Sequence, residues 1–250
     1  MDLGLAGKRF AVTGGTRGIG RAVVEGLLAE GASVAYCART PEAVADAQKE
    51  LGSNARGSAV DVGDTAALTA WVDATAEAFG GLDGVVANVS ALAIPESPEN
   101  WRTTFEVDLM GTIGLVDAAL PHLLAGESGS IVTISSVSGR EVDFAAGPYG
   151  TMKAAIIHYT QGLAYKLAAQ GVRANTVSPG NTYFPGGVWP TIETENPELF
   201  AEALALNPTG RMATPQEVAN AVVFLSSAAA SFITGTNLVV DGALTRGVQF

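Results

Sequence analysis

Arg9-Phe-Ala-Val-Thr-Gly-Gly-Thr-Arg-Gly-Ile-Gly-Arg-Ala-Val-Val-Glu-Gly-Leu-Leu-Ala-Glu30 is the stretch whose reading decides the fold. Arg9 to Thr13 is an apolar run of strand length, and the glycines at 14, 15, 18 and 20 follow it directly. From Arg21 to Glu30 the apolar residues recur at helical spacing. A strand, a tight glycine turn and a helix in immediate succession open a βαβ unit.

The pattern continues along the chain. Strands are expected at Ser33–Cys37, at a third strand ending in Ser58-Ala-Val-Asp61-Val62, and at Gly84–Asn88, Ser130–Ser135, Val172–Val177 and Asn237–Asp241. Helices are expected at Glu42–Leu51, Thr65–Phe79, Pro98–Leu124, Tyr149–Gln170 and Pro215–Ser226. Alternation of this kind predicts an α/β fold: one domain over 1–250, a doubly wound Rossmann-like parallel sheet of about seven strands with helices on both faces. The segment from about 181 to 208 is rich in Gly, Pro and aromatics, shows no single period, and reads as a mobile substrate lid with an apolar lining.

The chain is 250 residues long, 48% hydrophobic and 16% charged, which suits a buried parallel sheet. Its net charge of −11 argues against nucleic acid or an anionic membrane surface as partner. Met1 to Gly7 lacks the charge and apolar core of a signal peptide, and no apolar run is read as membrane-spanning. Cys37 is the only cysteine, so no internal disulfide forms and a cytoplasmic location is expected. It falls in a strand pattern and reads as an inert core thiol. His122 and His158 lack ligand spacing, so no metal site is expected.

Gly14, Gly18 and Gly20 form G-x-x-x-G-x-G between the first strand and the first helix. Glycines there allow a tight turn, let the backbone approach a diphosphate, and aim a helix N-terminus at it. A nucleoside-triphosphate loop fits poorly, because Arg21-Ala22 stands where Lys and Ser/Thr are required. At the end of the second strand an acid would serve the ribose hydroxyls of NAD. This chain has Ala38-Arg39 and no acid before Glu42. Arg39 and Arg17 offer two cations to a 2′-phosphate, so NADP(H) is favoured and NAD(H) stays open.

Ser136-Val-Ser-Gly-Arg-Glu-Val-Asp-Phe-Ala-Ala-Gly-Pro-Tyr149-Gly-Thr-Met-Lys153 carries the chemistry. Tyr149 and Lys153 are four apart at the start of a helix and share one face. A free tyrosine, with a pKa of about 10, is a poor base at neutral pH, but a nearby ammonium favours the phenolate and makes the hydroxyl usable for proton transfer. Ser136, at a strand end, can donate to the same substrate oxygen.

Taken in order, these residues resemble the short-chain dehydrogenase/reductase family, close to its 3-oxoacyl-reductase branch. The resemblance runs from Lys8 to Gly242. It rests on Thr13-Gly14-x-x-x-Gly18-Ile19-Gly20, Asp61-Val62, Asn88, Ser136, Tyr149-x-x-x-Lys153, Pro179-Gly180, Gly210-Arg211 with Pro215-x-Glu217, Ile233-Thr234-Gly235 and Val240-Asp241-Gly242. Ser136 precedes Tyr149 by thirteen residues, the family spacing.

The resemblance implies Tyr149 as acid/base, Ser136 holding the substrate oxygen, and Lys153 binding the nicotinamide ribose while tuning Tyr149. It implies further cofactor contacts from the turn residues Gly14, Thr16, Arg17, Gly18, Ile19 and Gly20, and from Arg39. Asp61 and Val62 would flank the adenine, Asn88 the ribose, and Pro179, Gly180 and Thr182 the nicotinamide end. A homotetramer built through the two long helices and the last strand is also implied.

The chain departs from the family pattern at Val89-Ser90, where Ala-Gly is usual, and at Thr182, which falls two positions early. It departs again at Asp108, which takes the place of the asparagine in the proton relay. Burial is expected to keep Asp108 a neutral acid. The expected activity is NADP(H)-dependent interconversion of a partly hydrophobic ketone and a secondary alcohol. Alternatives are a 3-oxoacyl thioester reductase serving a carrier protein and a catalytically weak cofactor-binding sensor. An acidic carrier suits a chain of net −11 poorly, and a serine hydrolase is excluded by the absence of G-x-S-x-G.

Overall fold

The computed structural model describes residues 2–248. Seven parallel strands form one sheet in the order β3-β2-β1-β4-β5-β6-β7. They are β1 (Arg9–Thr13), β2 (Ser33–Ala38), β3 (Ala55–Ala59), β4 (Gly84–Ala87), β5 (Gly129–Ile134), β6 (Val172–Pro179) and β7 (Asn237–Val240). The order reverses between β1 and β4, and a crevice opens there beyond the carboxyl ends of the strands.

Each strand serves two cores because successive side chains alternate between faces. On β1, Phe10 and Val12 join the cluster formed with α1 (Gly18–Ala29), α2 (Pro41–Leu51) and α9 (Pro215–Ser226). Ala11 faces the other cluster, built with α3 (Thr65–Phe79), α5 (Gly111–Leu124) and α6 (Pro148–Leu167). The central strands β4 and β5 are buried at every position; β4 reads as an apolar run, and β5 interrupts its own with Ser130 and Thr133, both buried.

Three expectations need correction. The third strand stops at Ala59, so Asp61 and Val62 lie in the turn beyond it, where the Gly63 N–H donates to Asp61 Oδ1. The 98–124 helix is not uniform: α4 (Pro98–Thr104) and α5 are joined by a π-helical segment, Phe105–Met110. By length and composition the whole of Pro98–Leu124 is apolar enough to cross a membrane. Here, however, its Leu115, Val116, Ala119 and Leu123 are core residues over the sheet.

The lid is also more regular than its sequence reads. It holds α7 (Val188–Glu195) and α8 (Pro197–Ala205). Asn196 caps α8 by accepting from the Leu199 N–H, with Pro197 at the first helical position. Val188 and Ile192, then Phe200, Ala203 and Leu204, sit at helical spacing around buried Trp189 and Met212. Pro190 and the acidic run after it hide that period from a sequence reading.

Candidate active site

The glycine turn is shaped by close backbone approach. A Cβ at Gly20 would lie 2.2 Å from Gly14 O and 2.4 Å from Asn88 Nδ2, so only glycine fits. Gly14 and Gly18 have φ of +73° and +55°, conformations that L side chains rarely adopt. Asn88 locks the turn, its Nδ2 donating to Thr13 O at 3.1 Å and to Gly14 O at 3.3 Å. No side chain caps the start of α1 and no acid stands in its first turn. Its first N–H groups are therefore directed at a site that suits a diphosphate.

At the other end of the crevice, Ser136 follows the end of β5 at Ile134 and caps the short 3₁₀ turn Val137–Gly139. Two glycines bring that turn onto the start of α6. A Cβ at Gly139 would meet Lys153 C at 2.7 Å, and one at Gly150 would meet Ser138 O at 2.7 Å. Asp143 braces the connection: Ser138 Oγ donates to its Oδ2 at 2.6 Å and the Ala145 N–H to its Oδ1 at 2.8 Å. The Ser138 N–H donates to Ser136 Oγ at 3.1 Å, which holds the hydroxyl in place.

Lys153 is 2% exposed and Asp108 is fully buried. Lys153 Nζ donates to Ile134 O at 3.1 Å, lies 3.4 Å from Asp108 Oδ1 and stands 5.5 Å from the Tyr149 ring centroid. Ser135 Oγ fixes the lysine backbone, donating to Lys153 O at 2.8 Å. Asp108 sits in the π-helical segment, accepts the Ala91 N–H at Oδ2 over 2.9 Å, and makes no hydrogen bond at Oδ1. Asp108 thus stands behind Lys153, with its Oδ1 facing the ammonium nitrogen and its Oδ2 fixing the backbone at Ala91.

A single cleft of about 490 Å³ connects the two ends. Gly14, Thr16, Arg17, Ile19, Arg39, Val62, Asn88, Ser136, Tyr149, Lys153, Pro179, Gly180 and Thr182 all line it. Gly18 and Gly20 shape the turn without lining the cleft, Asp61 is exposed in its own turn, and Asp108 lies behind Lys153. The two arginines part company. Arg17 donates one guanidinium N–H to Gly186 O at 2.9 Å, which links it to the 181–208 segment while it still lines the cleft. Among the described residues, Arg39 lines the cleft with no hydrogen-bonding or ionic partner, as a phosphate site needs. Thr182 is held by donation to Gly180 O at 3.1 Å.

Leu92, Phe184 and Trp189 also line the cleft and were not singled out by sequence reading. Phe184 lies against the glycine turn, where a Cβ on Gly18 would meet its ring at 2.6 Å. Trp189 is held edge-on by Phe144, with ring centroids 6.0 Å apart, and by Phe200 at 6.3 Å. The aromatic density of 183–189 was the one available signal for the lid residues.

Comparison with known proteins agrees with this geometry. The family model described as enoyl-(acyl carrier protein) reductase matches residues 14–245. An isoepoxydon dehydrogenase from Penicillium expansum is 41% identical over 100% of this chain and 99% of its own length. A cis-4-hydroxycyclohexanecarboxylate dehydrogenase from Sinomonas cyclohexanicum is 36% identical over 98% of this chain and 99% of its own. Among solved structures, a short-chain type dehydrogenase/reductase from Mycobacterium ulcerans superposes with a TM-score of 0.88 at 34% identity, covering 97% of this chain and 91% of that one. An NADPH-bound short-chain oxidoreductase from Pseudomonas aeruginosa with an atypical catalytic centre gives 0.87 at 28%, covering 96% and 98%. With its sheet order, glycine turn and Ser136–Tyr149–Lys153 wall, this chain is a member of the short-chain dehydrogenase/reductase family of oxidoreductases, whose members bind NAD(P)(H).

Proposed function

We propose that the protein is an NADP(H)-dependent oxidoreductase interconverting a ketone and a secondary alcohol. The observation that carries this reading is that one cleft runs from the glycine turn and unpaired Arg39 to Ser136, Tyr149 and Lys153. The turn residues, Arg39, Val62 and Asn88 would hold the dinucleotide, and Lys153, Pro179, Gly180 and Thr182 its nicotinamide end. The cofactor, when bound, supplies or accepts the hydride. Ser136, steadied by the Ser138 N–H, donates to the substrate oxygen, and Tyr149 gives or takes that oxygen's proton. Lys153, held between Ile134 O and Asp108, places its Nζ beside the tyrosine ring.

NADP(H) is favoured by Arg39, and the NADPH-bound relative from Pseudomonas aeruginosa agrees with that preference. The name of the Sinomonas relative describes a secondary alcohol on a six-membered ring that also bears a carboxylate, which supports a cyclic substrate. Leu92, Phe184, Val188 and Trp189 give the cleft a matching apolar wall. A carrier-bound thioester fits less well, since an acidic carrier would meet a chain of net −11. A catalytically idle sensor is disfavoured because Ser136, Tyr149 and Lys153 are all present on the cleft wall.

The same reading includes a homotetramer. Phe105, Met110, Leu124 and Tyr165 expose apolar surface on the two long helices, and β7 is an edge strand.

The deciding experiment is a screen of ketones and alcohols with NADPH or NADP⁺, followed by Tyr149→Phe on the best substrate. Turnover should fall at least ~10²-fold, the scale for a positioned acid/base, while cofactor affinity is retained. A variant keeping more than about a tenth of the wild-type rate removes Tyr149 from this role.

A further inference from the structure

Leu92 is a strained apolar residue in the cleft. Its φ is +51°, in the left-handed region that costs non-glycine residues about 1 kcal/mol or more and is an outlier for a bulky side chain. It is 42% exposed although apolar, and it lines the same cleft as Ser136, Tyr149 and Trp189. A residue that combines strain with apolar exposure in a site is held there by its surroundings.

Those surroundings are a set of short hydrogen bonds. The Ala91 N–H, one residue earlier, donates to Asp108 Oδ2 at 2.9 Å, and Asp108 is anchored in turn by Lys153. The Leu92 N–H donates to Ser90 Oγ at 3.1 Å, and the Ile94 N–H closes a tight turn onto Leu92 O at 3.0 Å. Ser90 and Asp108 are two of the positions at which the chain departs from its family pattern. Each accepts a backbone N–H from the segment that carries Leu92.

We propose that Leu92 is a specificity-determining residue. Held in a left-handed conformation by Ser90 and Asp108, it forms with Val188 and Trp189 an apolar wall that selects saturated-ring ketones and alcohols over small polar ones. The proposal rests on the oxidoreductase reading for its substrate class. Its physical content, an apolar contact supplied by one side chain, is measurable without turnover.

The test uses Leu92→Gly, which keeps the backbone conformation while deleting the side chain, and Leu92→Asn, which tolerates the same φ without glycine's freedom. Binding of cyclohexanone to NADP⁺-loaded protein is measured by titration calorimetry, where no reaction can follow. Turnover of cyclohexanone and hydroxyacetone with NADPH is measured alongside, with melting temperatures. Cyclohexanone binding should weaken roughly ten- to a hundredfold in both variants, the range for losing an apolar contact in a pocket. Hydroxyacetone kinetics should stay within about threefold of wild type, and Leu92→Gly should melt no lower than wild type because strain is released.

Unchanged cyclohexanone binding in the variants, or no binding to the wild type, overturns the proposal. So does an equal loss for both ketones accompanied by a lower melting temperature, which marks a structural role. Binding that weakens as expected, in a protein that turns over neither ketone, upholds the pocket and sinks only the proposed reaction.

Discussion

Asp108 Oδ1 lies 3.4 Å from Lys153 Nζ with both side chains shut off from solvent, and Asp108 Oδ2 accepts the Ala91 N–H. Both carboxylate oxygens face donors. The asparagine usual at this position has one acceptor and one donating NH₂, so either Ala91 or Lys153 would meet a donor. Removing one partner of a buried ion pair costs about 3–5 kcal/mol because the remaining charge is left uncompensated.

Asp108→Asn is therefore expected to lower the melting temperature by roughly 6–20 °C, on the scale of 2–4 °C per kcal/mol for a domain of this size. Some turnover should remain, since Lys153 keeps its bond to Ile134 O. Scanning calorimetry decides the matter: a melting temperature within about a degree of wild type means the pair contributes nothing.

Arg39 is expected to set cofactor choice. A charge-assisted hydrogen bond is worth about 1.5–3 kcal/mol, so Arg39→Ala should lose at least roughly tenfold in kcat/KM with NADPH while NADH kinetics barely move. Arg17→Ala should change the NADPH/NADH ratio less, because Arg17 is engaged with Gly186 O. An unchanged ratio in Arg39→Ala would remove the 2′-phosphate from this residue.

Much of this was legible in the sequence. The strand–turn–helix at Arg9–Ala29 and the buried runs of β4 and β5 fixed the sheet, because periodicity and glycine spacing are local signals. The spacing of Ser136, Tyr149 and Lys153 likewise foretold that the three would line one cleft. What stayed hidden depends on long-range contact. Leu92 is an ordinary leucine until its φ is known, and Asp143 matters only because it reaches back to Ser138. The bond from Arg17 to Gly186 O joins residues 169 positions apart, which no local pattern announces.

Acid stability should involve Glu217. Its side chain takes both Arg211 nitrogens, at 2.6 and 2.8 Å, and completes the capping box of α9 with Thr214. These bonds, Arg211's first, pull its carboxyl down to about 2 from 4.5. A carboxyl depressed on folding stabilises the fold above its unfolded pKa, and that contribution disappears as pH falls from about 4.5 to about 2. Glu217→Gln should thus flatten the acid limb of the melting-temperature profile within this window. The effect should be small and salt-sensitive, because the pair is exposed. Identical profiles for the two proteins would show that the pair does not contribute to acid stability.

Gly18 and Gly20 make the sharpest contrast for the cofactor site, since both belong to the same turn but meet different obstacles. A Cβ on Gly18 would strike the Phe184 ring at 2.6 Å, and Phe184 is a lid side chain that can swing away. What remains is the penalty of φ +55°, of order 1–2 kcal/mol for alanine. A Cβ on Gly20 would strike Gly14 O at 2.2 Å and Asn88 Nδ2 at 2.4 Å, and the first of these is backbone of the turn itself. Relief there requires moving the segment whose N–H groups are aimed at the diphosphate. Gly20→Ala should therefore lose at least about a hundredfold in NADPH affinity, more than Gly18→Ala, because a displaced turn forfeits several bonds to the diphosphate at once. Gly18→Ala should instead show a modest loss with a displaced Phe184, read as a change in tryptophan fluorescence that is absent from Gly18→Ala/Trp189→Phe. Fluorescence titration of NADPH into both variants, with melting temperatures as a check on folding, separates the cases. Equal affinities would mean that the turn accommodates a methyl at Gly20 and that its tight approach to Gly14 is not what shapes the site.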